Sequence, residues 1–482
     1  MKGETAREIS FAASACSGSE PASRVQRIPY AWLCCLALVA LIFRWLPLLL
    51  EPGLGWTAAN NSEAYLDLME GYRHGCGFAA WTATGCAAPE TSRTPGYPLL
   101  LAALPSVRSA VAMQAVLWSA LCLAVGIFAS RRWGAGAGII ACLLLALDVS
   151  SFVYSNKIMT EVPFTFLLTA AVMAELRALE AARSDRGAGA LMLLAGLLFA
   201  CAIAVRPIAQ MVVPLAALFA IFVWRGNWGW RLGMGLLLVA LPVVLVAGWR
   251  YRNRTQAGID TFSTVGAFNL YNFRAAGTIA YATGQSLQTV WRSWDKVPVE
   301  SYSRRALAII RRHPFAFAYM TGWSFVYVAL VPDRWPLARV LSLEKQPKVQ
   351  DPGSLRIDGA VEGVVNSPLR TLASIYRDEL DSSPLFTALI IAQLAMTVVV
   401  WSGAACAVIS ELRRYPAWDA RLLFMVAAAL WLLLLAAGPE GTDRFRIPAL
   451  PFLAIVSGLG WCRVWGRYFA HPANLSLRRK AA

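Results

Sequence analysis

Residues 29–50 read PYAWLCCLALVALIFRWLPLLL, a run whose only charge is Arg44. A bilayer core of about 30 Å needs about 20 mostly apolar residues wound as a helix, so this stretch predicts a membrane span. The pattern recurs over 108–130, 135–154, 162–178, 188–205, 208–224, 232–250, 314–332, 384–409, 419–438 and 447–465, which makes eleven predicted spans in a range of ten to thirteen. None alternates with the period of two that a membrane barrel strand requires. The predicted class is therefore an all-α polytopic membrane bundle.

Composition supports that class and excludes others. Of 482 residues, 58% are hydrophobic and 15% charged, with 19 Trp and 21 Phe. A soluble chain carries roughly 25% charged residues to cover its surface, so a soluble enzyme with an appended anchor is excluded. Lys and Arg number 44 against 28 Asp and Glu, a net charge of +16. In a membrane protein that excess belongs to cytoplasmic loops, where Lys and Arg set orientation, and nucleic acid is not the expected partner.

The short basic connections supply the orientation. Arg131-Arg132, the loop with Arg177, Arg183 and Arg186, Arg225 and Arg231, and the loop with Arg413, Arg414 and Arg421 are predicted inside. So are the tail 1–28 and the basic tail 467–482. Eleven spans cannot place both tails on one side: either 314–332 is not a simple span, or 333–383 hides a crossing, or the C-terminal tail is outside. The organisation expected is a membrane core over 29–250 with an outer loop at 51–107, a second outer loop at 251–313, and C-terminal helices over 314–466 that include the polar loop 333–383. Gly134, Gly136 and Gly138 allow close helix packing, expected to be intramolecular.

Candidate chemistry collects on the outer side. In the first outer loop, Asn61, Glu63, Tyr65, Asp67 and Glu70 fall on a predicted helix, where a carboxylate could act as general base or simply solvate an amphipathic helix. Further on, Arg93 precedes a Pro-Gly-Tyr-Pro turn that includes Tyr97. Its guanidinium could grip phosphate oxygens or snorkel to lipid headgroups. Lys157 and Glu161 stand at i, i+4 spacing, an ordinary ion pair or a second acidic group over the same cavity. Asp148 lies inside a span, which makes it a functional candidate by depth or an internal cap or partner of Arg44. Arg206, the segment Trp249 to Asn253, and Asp443-Arg444-Phe445-Arg446 put positive charge at outer helix ends, against the orientation trend. A membrane-bound phosphate would account for that.

Ten cysteines occur, and Cys34, Cys122, Cys142, Cys201 and Cys406 lie in spans as small hydrophobes. Cys76 and Cys86 share the first outer loop and are the candidate disulfide of an oxidising compartment. Three His, far apart in sequence, argue against an imidazole zinc site. A carboxylate-bound divalent cation, Mg²⁺ or Mn²⁺, stays open.

These motifs together resemble the GT-C superfamily of integral-membrane glycosyltransferases, in the branch of the protein mannosyltransferases and lipid A aminoarabinose transferases. The resemblance rests on Arg93-Thr94-Pro95-Gly96-Tyr97-Pro98-Leu99-Leu100-Leu101-Ala102, on Ser155 to Pro163, on Val205-Arg206-Pro207, on Trp249 to Asn253 with Gly266, Asn269 and Leu270, and on Arg444 to Pro448. It implies a GT-C bundle with a helical first outer loop. The implied reaction transfers a sugar from a polyprenyl-phosphate donor to a hydroxyl of a cell-envelope lipid, polysaccharide or protein, with inversion, at the outer face of a bacterial inner membrane. It also implies an acidic base in the first outer loop. The usual aspartate is replaced here, with Asn61 and Glu63 near its place, so Glu63 is the expected base, with Asp67 and Glu161 as further acidic candidates. Arg93, Arg206, Arg444 and Arg446 are expected at the donor phosphate, and Asn61, Tyr65, Tyr97 and Asn269 at the substrates. A transporter or flippase of lipid-linked saccharides is the alternative reading, and a non-catalytic scaffold a third. The chain shows no internal repeat of the kind common in transporters.

Overall fold

A computed structural model describes residues 28–50, 57, 62–181, 186–224, 227–331 and 384–469. The predicted tails apart from Ile28 and residues 467–469, together with Asn61 and all of 333–383, lie outside the described residues. In chain order the elements are α1 (Tyr30–Leu50), α2 (Ser62–Arg73), β1 (Ala79–Thr82), β2 (Gly85–Pro89), α3 (Gly96–Ala103), α4 (Val107–Trp133), α5 (Ala135–Ala146), α6 (Val149–Ser155), α7 (Glu161–Ala178) and α8 (Arg186–Val205). Then come a 3-10 turn (Pro207–Met211), α9 (Val213–Val223), α10 (Trp228–Ala257), α11 (Val265–Asn269), a π turn (Leu270–Ala275), α12 (Ala276–Thr283), α13 (Leu287–Arg292), α14 (Tyr302–Arg312) and α15 (Pro314–Leu330). The last three are α16 (Pro384–Leu412), α17 (Ala420–Ala436) and α18 (Leu450–Phe469).

Polar contacts between sequence-distant residues define the two ends of the bundle. At one, Arg108 Nη2 donates to Leu48 O at 2.9 Å and Arg206 pairs with Glu161 at 3.0 Å, so α1 ends where α4 and α7 begin and α8 ends. At the other, Arg132 pairs with Asp419 at 3.2 Å, Arg421 with Glu180 at 3.7 Å and Arg463 with Glu411 at 2.9 Å. We call these the site end and the basic end.

Among the described residues six helices are long and apolar enough to cross a membrane, and α5 with α6 forms a seventh candidate bent by 55°. The helix α7, the 3-10 turn with α9, and α17 run between the same two ends, giving ten passages among the described residues. Helix α15 is different. Its Ala329 carbonyl accepts from Trp401 Nε1 at 3.2 Å and from Arg446 Nη1 at 2.9 Å. Trp401 lies part-way along α16, which continues to Leu412 at the basic end. The described part of α15 therefore ends beside the middle of α16, short of the basic end. Without it the passage count is even, so α1 starts and α18 finishes at the same end.

The predicted span 135–154 is broken at Leu147-Asp148. Backbone groups freed inside a membrane must find partners within the protein, and two buried side chains supply them. Arg44 donates to the carbonyls of Ala146 at 3.1 Å and Leu145 at 3.4 Å and to Ser151 Oγ at 2.8 Å, closing the end of α5. Asp148 accepts from Ser151 N at 2.6 Å, capping α6, and its other oxygen accepts from Gln393 Nε2 at 3.0 Å. Of the alternatives for Asp148 the cap is the one formed: Arg44 and Asp148 serve opposite sides of one break.

Apolar packing follows from small residues where helices touch. A Cβ on Gly138 would lie 2.3 Å from Gly126 O, so α5 and α4 approach at a distance only glycine permits. The loop between α1 and α3 holds a feature the sequence did not predict, an antiparallel hairpin of β1 and β2 that packs against α2. Its strands are too short to show alternation. Cys76 and Cys86 are joined by a disulfide across this hairpin.

Candidate functional site

Three sequence motifs meet at the site end. In the first, Pro95 starts α3 and Thr94 Oγ1 donates to Val205 O at 2.9 Å, occupying a carbonyl at the end of α8. A Cβ on Gly96 would fall 2.7 Å from Ala204 C and O, so glycine lets the turn sit directly on the α8 backbone. Tyr97 is buried, and its hydroxyl donates to Gln114 Oε1 at 2.9 Å. Gln114 in turn donates to the carbonyls of Ser155 and Lys157, at 3.0 and 2.8 Å. One amide thus ties the Arg93–Pro98 turn to the Ser155–Glu161 turn, and Ser62 Oγ adds α2 through Ile158 O at 2.9 Å.

The segment Trp249 to Asn253 builds the opposite wall. Arg252 donates to Glu90 O at 2.8 Å and to Phe78 O at 3.0 Å, with its guanidinium over the rings of Phe78 and Trp249. Asn253 Nδ2 holds Thr261 O at 2.8 Å, and Thr264 N donates to Thr91 O at 3.0 Å. Ser263 Oγ donates to Ser92 O. The loop between α2 and α3 and the loop after α10 are thereby stitched together at the site end.

Between these walls lies a cavity of about 1010 Å³. Among the described residues five arginines line it, Arg93, Arg206, Arg250, Arg274 and Arg444, against three carboxylates, Glu161, Asp260 and Glu440. Each carboxylate is held by an arginine: Glu161 by Arg206 at 3.0 Å, Asp260 by Arg250 at 3.1 Å, Glu440 by Arg274 at 3.3 Å. The Asp260 pair is half-exposed and adds little, about 0–1 kcal/mol. In the Glu161 pair the carboxylate is buried and the arginine part-buried, and Glu161 Oε2 has no hydrogen-bond partner among the described residues. Arg206 lies over Phe164 and Phe445, Arg444 over Phe445 at 4.5 Å, and Arg93 over Tyr65 at 5.3 Å. Apolar side chains from Ile208, Met211, Val246, Phe268 and Phe273 form the flank, with Met211 and Phe268 exposed. Burial raises the Glu440 carboxyl above its usual range, an effect that Arg274 partly offsets.

The predicted residues divide accordingly. Tyr65, Arg93, Glu161, Arg206, Asn269 and Arg444 line the cavity together. Glu63 and Asp67 do not: α2 turns Ser62, Tyr65, Leu68 and Met69 inward, so positions one and five residues after Ser62 are exposed on the other face. Tyr97 sits behind the cavity wall as a packing and hydrogen-bonding group. Arg446 is buried off the cavity, bonded to Ala329 O and, at 3.3 Å, to Ser150 Oγ. Sequence reasoning missed Arg274, Glu440 and Asp260. Arg274 and Glu440 are 166 residues apart in sequence and carry no motif.

Among the described residues no three His, Cys, Asp or Glu side chains converge. The orphaned oxygens, Glu161 Oε2 and Glu440 Oε2, each belong to a carboxylate already beside a guanidinium. The described residues do not make a cation cage.

Residues 104–257, which contain the Ser155–Glu161 turn, Arg206 and Arg252, match the family model of dolichyl-phosphate-mannose-protein mannosyltransferase. No curated protein matches the chain. Among solved structures the chain is similar to the archaeal oligosaccharyltransferase AglB from Archaeoglobus fulgidus in complex with an inhibitory peptide and a dolichol-phosphate. That likeness has 14% identity and a TM-score of 0.52, covering 93% of this chain and 51% of that one. The Archaeoglobus fulgidus oligosaccharyltransferase in the apo form gives 14% identity, a TM-score of 0.51 and coverages of 93% and 52%. The same enzyme tethered to an acceptor peptide containing the NVT sequon gives 14%, 0.52, and coverages of 92% and 51%. The chain spans about half the length of the solved structures it matches, and at this identity the likeness is one of fold.

Proposed function

We propose that this chain, which has the GT-C membrane fold, is a glycosyltransferase that moves a sugar from a polyprenyl-phosphate donor to an acceptor hydroxyl. The cavity is assigned to the extracytoplasmic face and the membrane to a bacterial inner membrane. The observation that carries the reading is the cavity itself, where among the described residues five arginines, a buried carboxylate with one oxygen not hydrogen-bonded and an apolar flank adjoin one another.

Each part has a task in such a transfer. The isoprenoid tail lies along Ile208, Met211 and Val246 while the phosphate faces Arg93, Arg206 and Arg444. Glu161 Oε2 takes the proton of the acceptor hydroxyl as its oxygen bonds to the anomeric carbon. The bond from that carbon to the phosphate oxygen breaks, and its electron pair leaves on the phosphate. Positive charge fixed where this negative charge develops lowers the barrier. Attack opposite the leaving phosphate inverts the anomeric centre. The leaving group is a stable anion and needs no general acid.

Glu161 is the proposed base in place of Glu63, because Glu63 is exposed on the far face of α2. With full-length protein in nanodiscs, labelled polyprenyl-phosphate sugars and envelope extract as acceptor, Glu161→Gln should lower transfer by about 10²–10⁴-fold and Glu63→Gln should leave it near wild type. Transfer surviving in Glu161→Gln but lost in Glu63→Gln would return the base to the first outer loop. Absence of transfer from every donor, with lipid-linked sugar crossing liposomes instead, would overturn the enzyme reading in favour of a flippase.

A further inference from the structure

A second pocket, of about 790 Å³, opens at the basic end, at the opposite pole of the bundle from the cavity described above. Four chain junctions wall it: the end of α4, the residues after α7, the end of α9, and the link between α16 and α17. Three arginines line it, Arg132, Arg414 and Arg421, against a single lining carboxylate, Asp419. Three tryptophans, Trp133, Trp224 and Trp418, complete the wall.

The ion pairs around the pocket do not balance. Asp419 serves Arg132, Glu180 is shared by Arg177 and Arg421, and Glu411 is shared by Arg414 and Arg463. Among the described residues five guanidiniums thus rest on three carboxylates, an excess of two positive charges. Arg414 is the most open of the lining arginines, with its side chain 57% exposed and 3.5 Å from a fully buried Glu411. Orientation alone asks only that basic residues lie in this region. It does not require that they line a cavity together with indole rings.

We propose that this pocket binds the phosphate headgroup of an anionic phospholipid from the leaflet at the basic end. Guanidiniums take phosphate oxygens in paired hydrogen bonds, and tryptophan settles at the headgroup level of a bilayer. The apolar residues beside the link and α9, Leu412, Tyr415 and Phe222, are all more than half exposed. They lie where acyl chains continue from the headgroup, a surface that a soluble phosphate would leave unused. A lipid seated here joins four junctions that the chain itself connects through few pairs, so it should stabilise the bundle from the end opposite the cavity.

The test compares full-length protein in phosphatidylcholine nanodiscs with and without phosphatidylglycerol, reading the unfolding midpoint and, by native mass spectrometry, the lipid retained. Phosphatidylglycerol should raise the midpoint and stay bound. Arg414→Gln should lower its retention about tenfold, the weight of one charge-assisted hydrogen bond, and Trp418→Ala should also lower it. Arg131→Gln, an exposed basic-end arginine outside the pocket, should retain lipid like wild type. Equal retention by the Arg414 and Arg131 variants would overturn the proposal, since the lipid would then be held by general surface charge. An equal midpoint shift from inorganic phosphate alone would also overturn it, by making the ligand a soluble anion.

Discussion

Glu440 and Arg274 show how a residue invisible to motif reading can shape a site. Their pair at 3.3 Å joins the turn after α17 to the π turn on the cavity rim, and Arg274 also donates to Leu435 O. Burial outweighs the arginine and leaves the folded carboxyl with a pKa above its usual value of 4.5. The folded state then holds this proton more tightly than the unfolded state. Stability therefore falls as pH rises from the unfolded value through the raised folded one. Thermal unfolding followed from about pH 4 to 8 should show a shallower decline in Glu440→Gln than in wild type over that window. An unchanged slope would mean that Glu440 titrates alike in both states. Glu161 was legible in the sequence through its place after the Ser155 turn. That one of its oxygens pairs with Arg206 while the other makes no hydrogen bond among the described residues was not, because that depends on Arg206 arriving from a different helix.

At the scale of elements, the Arg93–Pro98 turn is the clearest case of local sequence anticipating structure. Its prolines and glycine announce a rigid turn, and Gly96 is required by contact with the α8 backbone rather than by its own dihedral angles. In Gly96→Ala the new methyl would meet backbone atoms that cannot rotate away, at a cost of about 1–3 kcal/mol. A lower unfolding midpoint together with reduced transfer should follow, because Arg93 and Thr94 ride on the same turn. A variant as stable and active as wild type would show that α3 can move without consequence. Helix α2 teaches the opposite lesson. Its carboxylates looked like a reactive row, yet the face it buries is set by Tyr65, Leu68 and Met69, and Glu63 and Asp67 follow on the solvent side.

Over the whole molecule, α15 decides the count. An apolar stretch of that length reads as a span, but its C-terminal carbonyl is taken by Trp401 and Arg446 inside the bundle. Ten passages then place the start of α1 and the α16–α17 link on one side. In a background without accessible native thiols, Tyr30→Cys and Arg413→Cys should react with a membrane-impermeant reagent from the same side, and Gln285→Cys from the other. Labelling of Tyr30→Cys and Arg413→Cys from opposite sides would make α15, or the chain following it, a full crossing.

The sequence by itself determined a helical membrane bundle, the basic end, and the short motifs that meet at the cavity. Those are properties of composition and local order: apolar length, the placement of Arg, and turns written in Pro and Gly. Tertiary structure alone decided which carboxylate faces the cavity, that Arg446 braces α15 while Arg444 lines the cavity, and that Arg44 and Asp148 heal a broken helix. Each of these depends on which face of a helix is buried and on partners 45 to 296 residues away in the chain. Packing sets both, and no local pattern records them.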